Sequence, residues 1–283
     1  MTIILRYSMR EAIRRRVFLV VLVLSVGFLM LYALGVDRAF NATGNFSDTA
    51  ERAGVEATTV AGAFMLGLSM FATLFLGVVL GSFLTLGAIR GDAERGLLQP
   101  LVVRPIGRTT LLLARYAGAA LTAAFYVVGM FLLAAAITKA IGGWWPDRVV
   151  EPALELAGAA GVVTALAVLG SVLLGTTANG ITVFMLFGAG LVGGLLGQIG
   201  RVLGSPTLKH VATGVSWALP FEALYQDALA AITANSGGAT GFLIRLGPFG
   251  GAHAGGVAIL VWSAGYTALV CLAAVRLFAS TDL

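Results

Sequence analysis

LAGAAGVVTALAVLGSVLLGTTANGITVFMLFGAGLVGGLLGQIG, from Leu156 to Gly200, is an unbroken run of 45 uncharged residues. As one helix it would extend about 68 Å, more than twice the roughly 30 Å hydrocarbon core of a bilayer, so it has to fold back on itself. Thr176-Thr177-Ala178-Asn179-Gly180 is the expected turn, because Asn and Gly tolerate the positive φ of a tight connection. That gives two spans, about 156–175 and 181–200. Working outward, 255–275 is a further apolar stretch, and 116–138 fits between Arg115 and Lys139. The uncharged run Ala57–Ile89 holds a span at about 60–89, and Val17–Val36 another at 17–36. Fourteen residues of that last run are Leu, Val or Phe. A basic head before an apolar run also resembles a signal peptide, but twenty residues exceed the roughly 7–15 of such a region, and more spans follow. The fold class is therefore an all-α polytopic membrane protein with six transmembrane helices in a single domain over 1–283.

Composition agrees. Mean hydropathy is +0.96, 59% of residues are apolar and 38 are glycine, which excludes a soluble 283-residue protein and suits helices packed through small residues. Neither Lys139 nor Lys209 ends a Gly-x-x-x-x-Gly-Lys-Ser/Thr phosphate loop, so the chain has no ATP-binding motif. No long apolar stretch read this way contains the carboxylate, histidine or lysine by which ion-coupled carriers take up their ion. Energy for uphill movement would then come from another chain. Cys271 stands alone, which excludes an intrachain disulfide, and it reads as a buried inert thiol. Sixteen arginines against two lysines point to a GC-rich genome, hence to a bacterial inner membrane.

With the N-terminus inside, the cytoplasmic segments carry eleven basic and four acidic residues, net +7, and the external segments seven and nine, net −2. This distribution obeys the positive-inside rule and places both termini in the cytoplasm. Residues 2–16 put Leu5, Met9, Ala12 and Ile13 on one helical face and Arg6, Arg10 and Arg14 on an adjacent one. The pattern fits an amphipathic helix lying on membrane lipid, while the same arginines also serve to fix orientation. The external stretch 201–253, broken by Pro206, Pro220 and Pro248, should form short helices resting on or dipping into the outer leaflet, anchored by Trp217 and Phe221. Trp144 and Trp145 read as the same kind of anchor. His210 and His253 lack the spacing of a metal pair, so no metal site is expected. Asn41-Ala-Thr43 and Asn45-Phe-Ser47 are sequons with no meaning in a bacterium. Gly77 with Gly81 and Gly193 with Gly197 allow close helix crossings, by default within one subunit.

The connection 90–115 between spans two and three is far longer than a turn needs. Its Leu97, Leu98, Leu101, Val102 and Val103 lie among Arg95, Arg104 and Glu94, which marks a docking surface, with a helix lying flat on the membrane as the alternative. In order, the segment has Glu94, Arg95, Gly96, Leu97, Leu98, then Pro105, Arg108 and a leucine-rich approach to the next span at Leu111–Arg115. This resembles the first cytoplasmic loop of ABC transporter permeases of the type-two exporter family. The family's Thr or Ser after the glycine is Leu97 here, and its basic pair near the C-terminus is Ser280 and Thr281. The resemblance implies a permease subunit paired with a second copy or a paralogue, each docked on a separate cytoplasmic ABC ATPase that binds the ATP. It implies that Glu94, Arg95, Gly96, Leu97, Leu98, Arg104, Pro105 and Arg108 relay the ATPase movement, and that transport is export. No cofactor is expected in this chain, and no nucleic acid partner.

Two rival classes stand beside that reading. A self-sufficient carrier or channel would need polar residues in the spans, where Ser69, Thr73, Ser171 and Asn179 are the candidates. A polytopic membrane enzyme would need a motif such as His-Glu-x-x-His or paired intramembrane aspartates, and the sequence has neither. The substrate is not legible, although uncharged spans favour an apolar or amphipathic cargo.

Overall fold

A computed structural model describes residues 16–44, 52–86, 107–246 and 255–280. Among them run α1 (Arg16–Gly44), α2 (Ala57–Thr85), α3 (Arg108–Gly142), α4 (Val150–Leu173), α5 (Thr176–Val202), α6 (Pro206–Ala218), α7 (Pro220–Ala231), α8 (Gly238–Leu246) and α9 (Gly256–Ser280). No strand occurs among the described residues. Helices α1 to α5 and α9 are long and apolar enough to cross a bilayer, as the six-span reading requires.

Boundaries differ from the expected ones because helical hydrogen bonding does not stop where the first charge appears. Helix α1 runs on past Asp37 and Arg38 to Gly44. Helix α3 is 35 residues long, about 52 Å, so it projects beyond a hydrocarbon core. Its first two turns are residues 108–115, which the sequence reading had left in the connection. It stops at Gly143, whose φ of 71° only glycine adopts without strain, and whose N–H donates to the Lys139 carbonyl at 3.0 Å. The α4–α5 turn also needs correction. Helix α4 ends at Leu173 and α5 starts at Thr176, so Thr176–Gly180 is the first turn of a helix and the connection is Leu174-Gly175. No positive φ is used there. Asn179 instead faces inward, and its side-chain amide donates to the Ala167 carbonyl at 2.9 Å, tying α5 to α4.

The core forms around α2 and α4. Leu66, Met70 and Leu74 of α2 pack with Val127 and Phe131 of α3 and with Leu156 and Ala160 of α4. Gly77 and Gly81 permit that approach. A methyl on Gly77 would run into Val127, and one on Gly81 into Thr164. These glycines thus serve packing within the subunit, as expected. Helix α1 is held to α3 by two hydroxyl pairs, Ser25–Tyr126 at 2.5 Å and Tyr32–Thr138 at 2.6 Å. Its other face exposes Leu19, Val23, Leu31 and Leu34, a surface suited to hydrocarbon.

Between α5 and α9 the chain does not rest on the surface. Along α5, Gly200 lies against Leu208, Gly197 against Ala212, Gly193 against Val215 and Gly190 against Phe221. Helix α6 therefore runs antiparallel down α5, and Leu219-Pro220 turns at the level of Gly190, near the middle of the 27-residue α5. Helix α7 then climbs back along α4, with Leu224 over Gly158 and the Ile232 carbonyl accepting from the Asp147 N–H at 3.1 Å. Phe221, Leu224, Tyr225, Ala228 and Ile232 are buried. The pair α6–α7 is a re-entrant hairpin, seated on a ridge of glycines where α5 puts no side chain of its own between the backbones. Such irregular chain at depth is tolerated where protein surrounds it. Of the two expected arrangements, helices resting on the leaflet or dipping into it, the packing matches the second, and half of the hairpin belongs to the core.

Candidate functional site

The residues singled out in the sequence fall mostly outside the described part of the chain. Glu94, Arg95, Gly96, Leu97, Leu98, Arg104 and Pro105 lie there, as do Arg6, Arg10 and Arg14. Arg108 opens α3, and its side chain is likewise not described. His253 lies outside as well, while His210 is exposed on α6. Trp144 packs on Gly62, and Lys139 sits 4.9 Å from the ring of Trp145, so these two tryptophans take part in contacts at the end of α3.

What the fold does bring together is a pair of buried carboxyls, Glu155 and Asp227. Glu155 is the sixth residue of α4, about 8 Å along the helix from its start. Asp227 approaches it from α7, because the two helices run antiparallel and their carboxyls come close together. Glu222, about one and a half turns earlier on α7, faces Gly194 of α5 instead. All three are at most 4% exposed. Asp227 Oδ1 accepts from the Gly255 N–H at 3.0 Å, just before α9 begins. The Ser216 hydroxyl donates to Glu222 Oε2 at 2.8 Å, across the hairpin turn. Glu155 has only another acid beside it, and no hydrogen-bond donor among the described residues reaches either of its oxygens. Two carboxyls in contact can hydrogen-bond only by sharing a proton. The nearby cation is Arg148, which is exposed and donates to Glu151 Oε2 at 2.6 Å. That hydrogen bond holds the Arg148 guanidinium above its ordinary pKa.

Glu155 corrects the sequence reading that the spans lack carboxylates. The uncharged run begins at Leu156, one residue later, and the helix that contains it starts six residues earlier at Val150. A span whose end is drawn at the first charge leaves out a carboxyl that the fold buries. Asp227 and Glu222 were hidden likewise, because prolines and acids made α7 read as an external loop.

Glu155 stands in the wall of a hollow of about 820 Å³ among α3, α4 and α9. Tyr116, Ala120 and Leu121 of α3 form one side, Gly158 and Val162 of α4 the floor, and Leu260, Ser263 and Thr267 of α9 the other side. Gly158 and Gly161 widen it by carrying no side chain. Ser263 is 5% exposed, and its hydroxyl, like both Glu155 oxygens, has no hydrogen-bond partner among the described residues. The hollow is thus apolar with two unsatisfied polar groups. A second hollow of about 650 Å³, lined by Phe83, Leu86, Thr176 and Phe184, lies between the end of α2 and the start of α5. Among the described residues no group of three or more His, Cys, Asp or Glu is placed to hold a metal ion. Cys271, also in the wall of the larger hollow, is buried.

No protein-family model matches the chain, and no curated protein matches it significantly.

Proposed function

We propose that this chain is the membrane-spanning permease subunit of an ATP-binding-cassette exporter in a bacterial inner membrane. It pairs with a second copy or a paralogue, and each subunit is driven by a separate cytoplasmic ATPase. The observation that carries this reading is the connection between α2 and α3, where Glu94-Arg95-Gly96-Leu97-Leu98 and Pro105-x-x-Arg108 resemble the ATPase-contacting loop of type-two exporters. Six candidate spans and a sequence without a phosphate loop support the same division of labour. In this scheme the chain performs no covalent chemistry; Leu97, Leu98 and Val102 dock into the ATPase, and Glu94, Arg95 and Arg104 border them.

The test is Leu98→Asp. A charge in the apolar centre of a docked surface desolvates badly, while a change at its rim costs less. The variant is expected to insert at normal abundance and to lose the co-expressed ATPase on purification; Glu94→Ala should weaken coupling more than assembly. Retention of the ATPase by Leu98→Asp at wild-type stoichiometry, with transport intact, sinks the assignment.

Glu155 favours a second reading, a self-sufficient ion-coupled carrier, since a buried carboxyl beside Asp227 is the kind of group such carriers load. Substrate uptake by liposomes containing only this chain, driven by an imposed proton gradient, would decide for it over the permease.

A further inference from the structure

We propose that the hollow among α3, α4 and α9 is a binding site for an amphiphile with a protonated amine head, taken from the membrane, its ammonium on Glu155 and its chain along the apolar walls. This does not depend on the transporter reading.

Three features converge. The first is chemical: Glu155 offers two acceptor oxygens that no donor of the described chain meets, and Ser263 adds a hydroxyl that is equally unmet. Both are at least nine-tenths buried and both line the hollow. An ammonium supplies three donors and a positive charge, whereas an anion would face Glu155 and, behind it, Asp227. A neutral alcohol would bring one donor and no charge. The second is shape: about 820 Å³ lies within the range that encloses a drug-sized or single-chain lipid molecule. The third is access. Leu121, Leu154 and Leu260 at its edges are exposed on the outside of the bundle, so the hollow opens towards hydrocarbon. Glu155, about 8 Å along α4 from its start, stands at a depth where an amine can sit below the interface while its chain continues into the bilayer. A ligand seated there touches α9, whose start is held through Gly255 to Asp227.

The experiment uses the full chain in phosphatidylcholine nanodiscs, irradiated with dodecylamine that carries a diazirine on its alkyl chain, followed by mapping of the labelled residues. Labelling is expected on α3, α4 and α9 around the hollow, and unmodified dodecylamine should compete where dodecanol at the same concentration does not. Glu155→Gln should raise the half-saturating amine concentration about tenfold or more. Ala264→Phe fills the groove from an exposed position of α9 and should abolish labelling without changing thermal stability. Equal labelling of wild type and Glu155→Gln, equal competition by dodecanol, or labels spread over α1 and α5 as densely as over the groove would each overturn the proposal. Should Glu155→Gln fail to yield folded protein, Ala264→Phe decides alone: labelling that persists in it overturns the site.

Discussion

Removing the ring of Phe221 tests the re-entrant hairpin at its deepest point. Phe221 is fully buried, lies over Gly190 and stacks on Phe187 with ring centroids 5.4 Å apart. In a membrane the ring has little to gain from leaving water, so the cost of Phe221→Ala comes from the void rather than from transfer. The void is on the order of 100 Å³ and, at about 24 cal/mol per Å³, costs roughly 2.4 kcal/mol. Loss of the aromatic pair adds about 0.5–1 kcal/mol, for a total near 3 kcal/mol. The assay is equilibrium unfolding in mixed micelles with rising denaturing detergent, with Phe242→Ala as comparison. Phe242 is 62% exposed on α8, so its removal should stay within about 0.5 kcal/mol. A Phe221→Ala loss below about 1 kcal/mol would mean that the hairpin does not pack at mid-depth, and the account of the glycine ridge would fall with it.

Other outcomes follow from the same structure. Reporter fusions at Gly175, in the α4–α5 turn, and at Leu283 should both report cytoplasm; an external signal at either refutes the proposed orientation. Gly77→Leu should destabilise by about 1–3 kcal/mol or more, because its side chain meets Val127 and Ala160, while Gly27→Leu on α1, with open space around it, should be near neutral in the same unfolding assay. Asn179→Ala should cost about 1 kcal/mol by freeing the Ala167 carbonyl, and an unchanged unfolding midpoint would show that the α4–α5 link contributes nothing. Asp227→Ala removes the acceptor of the Gly255 N–H and should speed hydrogen exchange at Gly255; retained protection there would place the anchor of α9 elsewhere.

The spans were legible because a bilayer imposes a length, and runs such as Val17–Val36 or Gly255–Val275 meet it without help from tertiary contacts. What escaped notice depends on partners distant in sequence. Helix α7 is only 12 residues, opens with proline and carries Glu222 and Asp227, so nothing local separates it from an external loop. Its burial follows from Gly190 and Gly194 some thirty residues earlier and from Gly158 of α4, and glycines in a chain holding 38 of them give no such signal alone. Asn179 misled for a related reason: its turn-forming tendency was real, but the Ala167 carbonyl outcompeted it. Glu155 was missed because charge was used to mark the ends of spans, which fails whenever a helix buries a charge in its first turns. The residues resembling an ATPase-docking loop were legible only through their order, and they lie outside the described structure.

The hairpin also makes the molecule unequal in cross-section. At the Gly200 end of α5 the bundle holds α6 and α7 in addition to its long helices, whereas beyond Gly190 it holds the long helices without them. Among the described residues, two cylinders of about 10 Å diameter add roughly 160 Å² of protein cross-section at that end. The described part of the chain is therefore broader towards the Gly200 end of α5 than beyond Gly190. In a bilayer, conical lipids that shift lateral pressure between leaflets should therefore change how firmly the hairpin is clamped, which the Phe221→Ala unfolding assay repeated with such lipids would read.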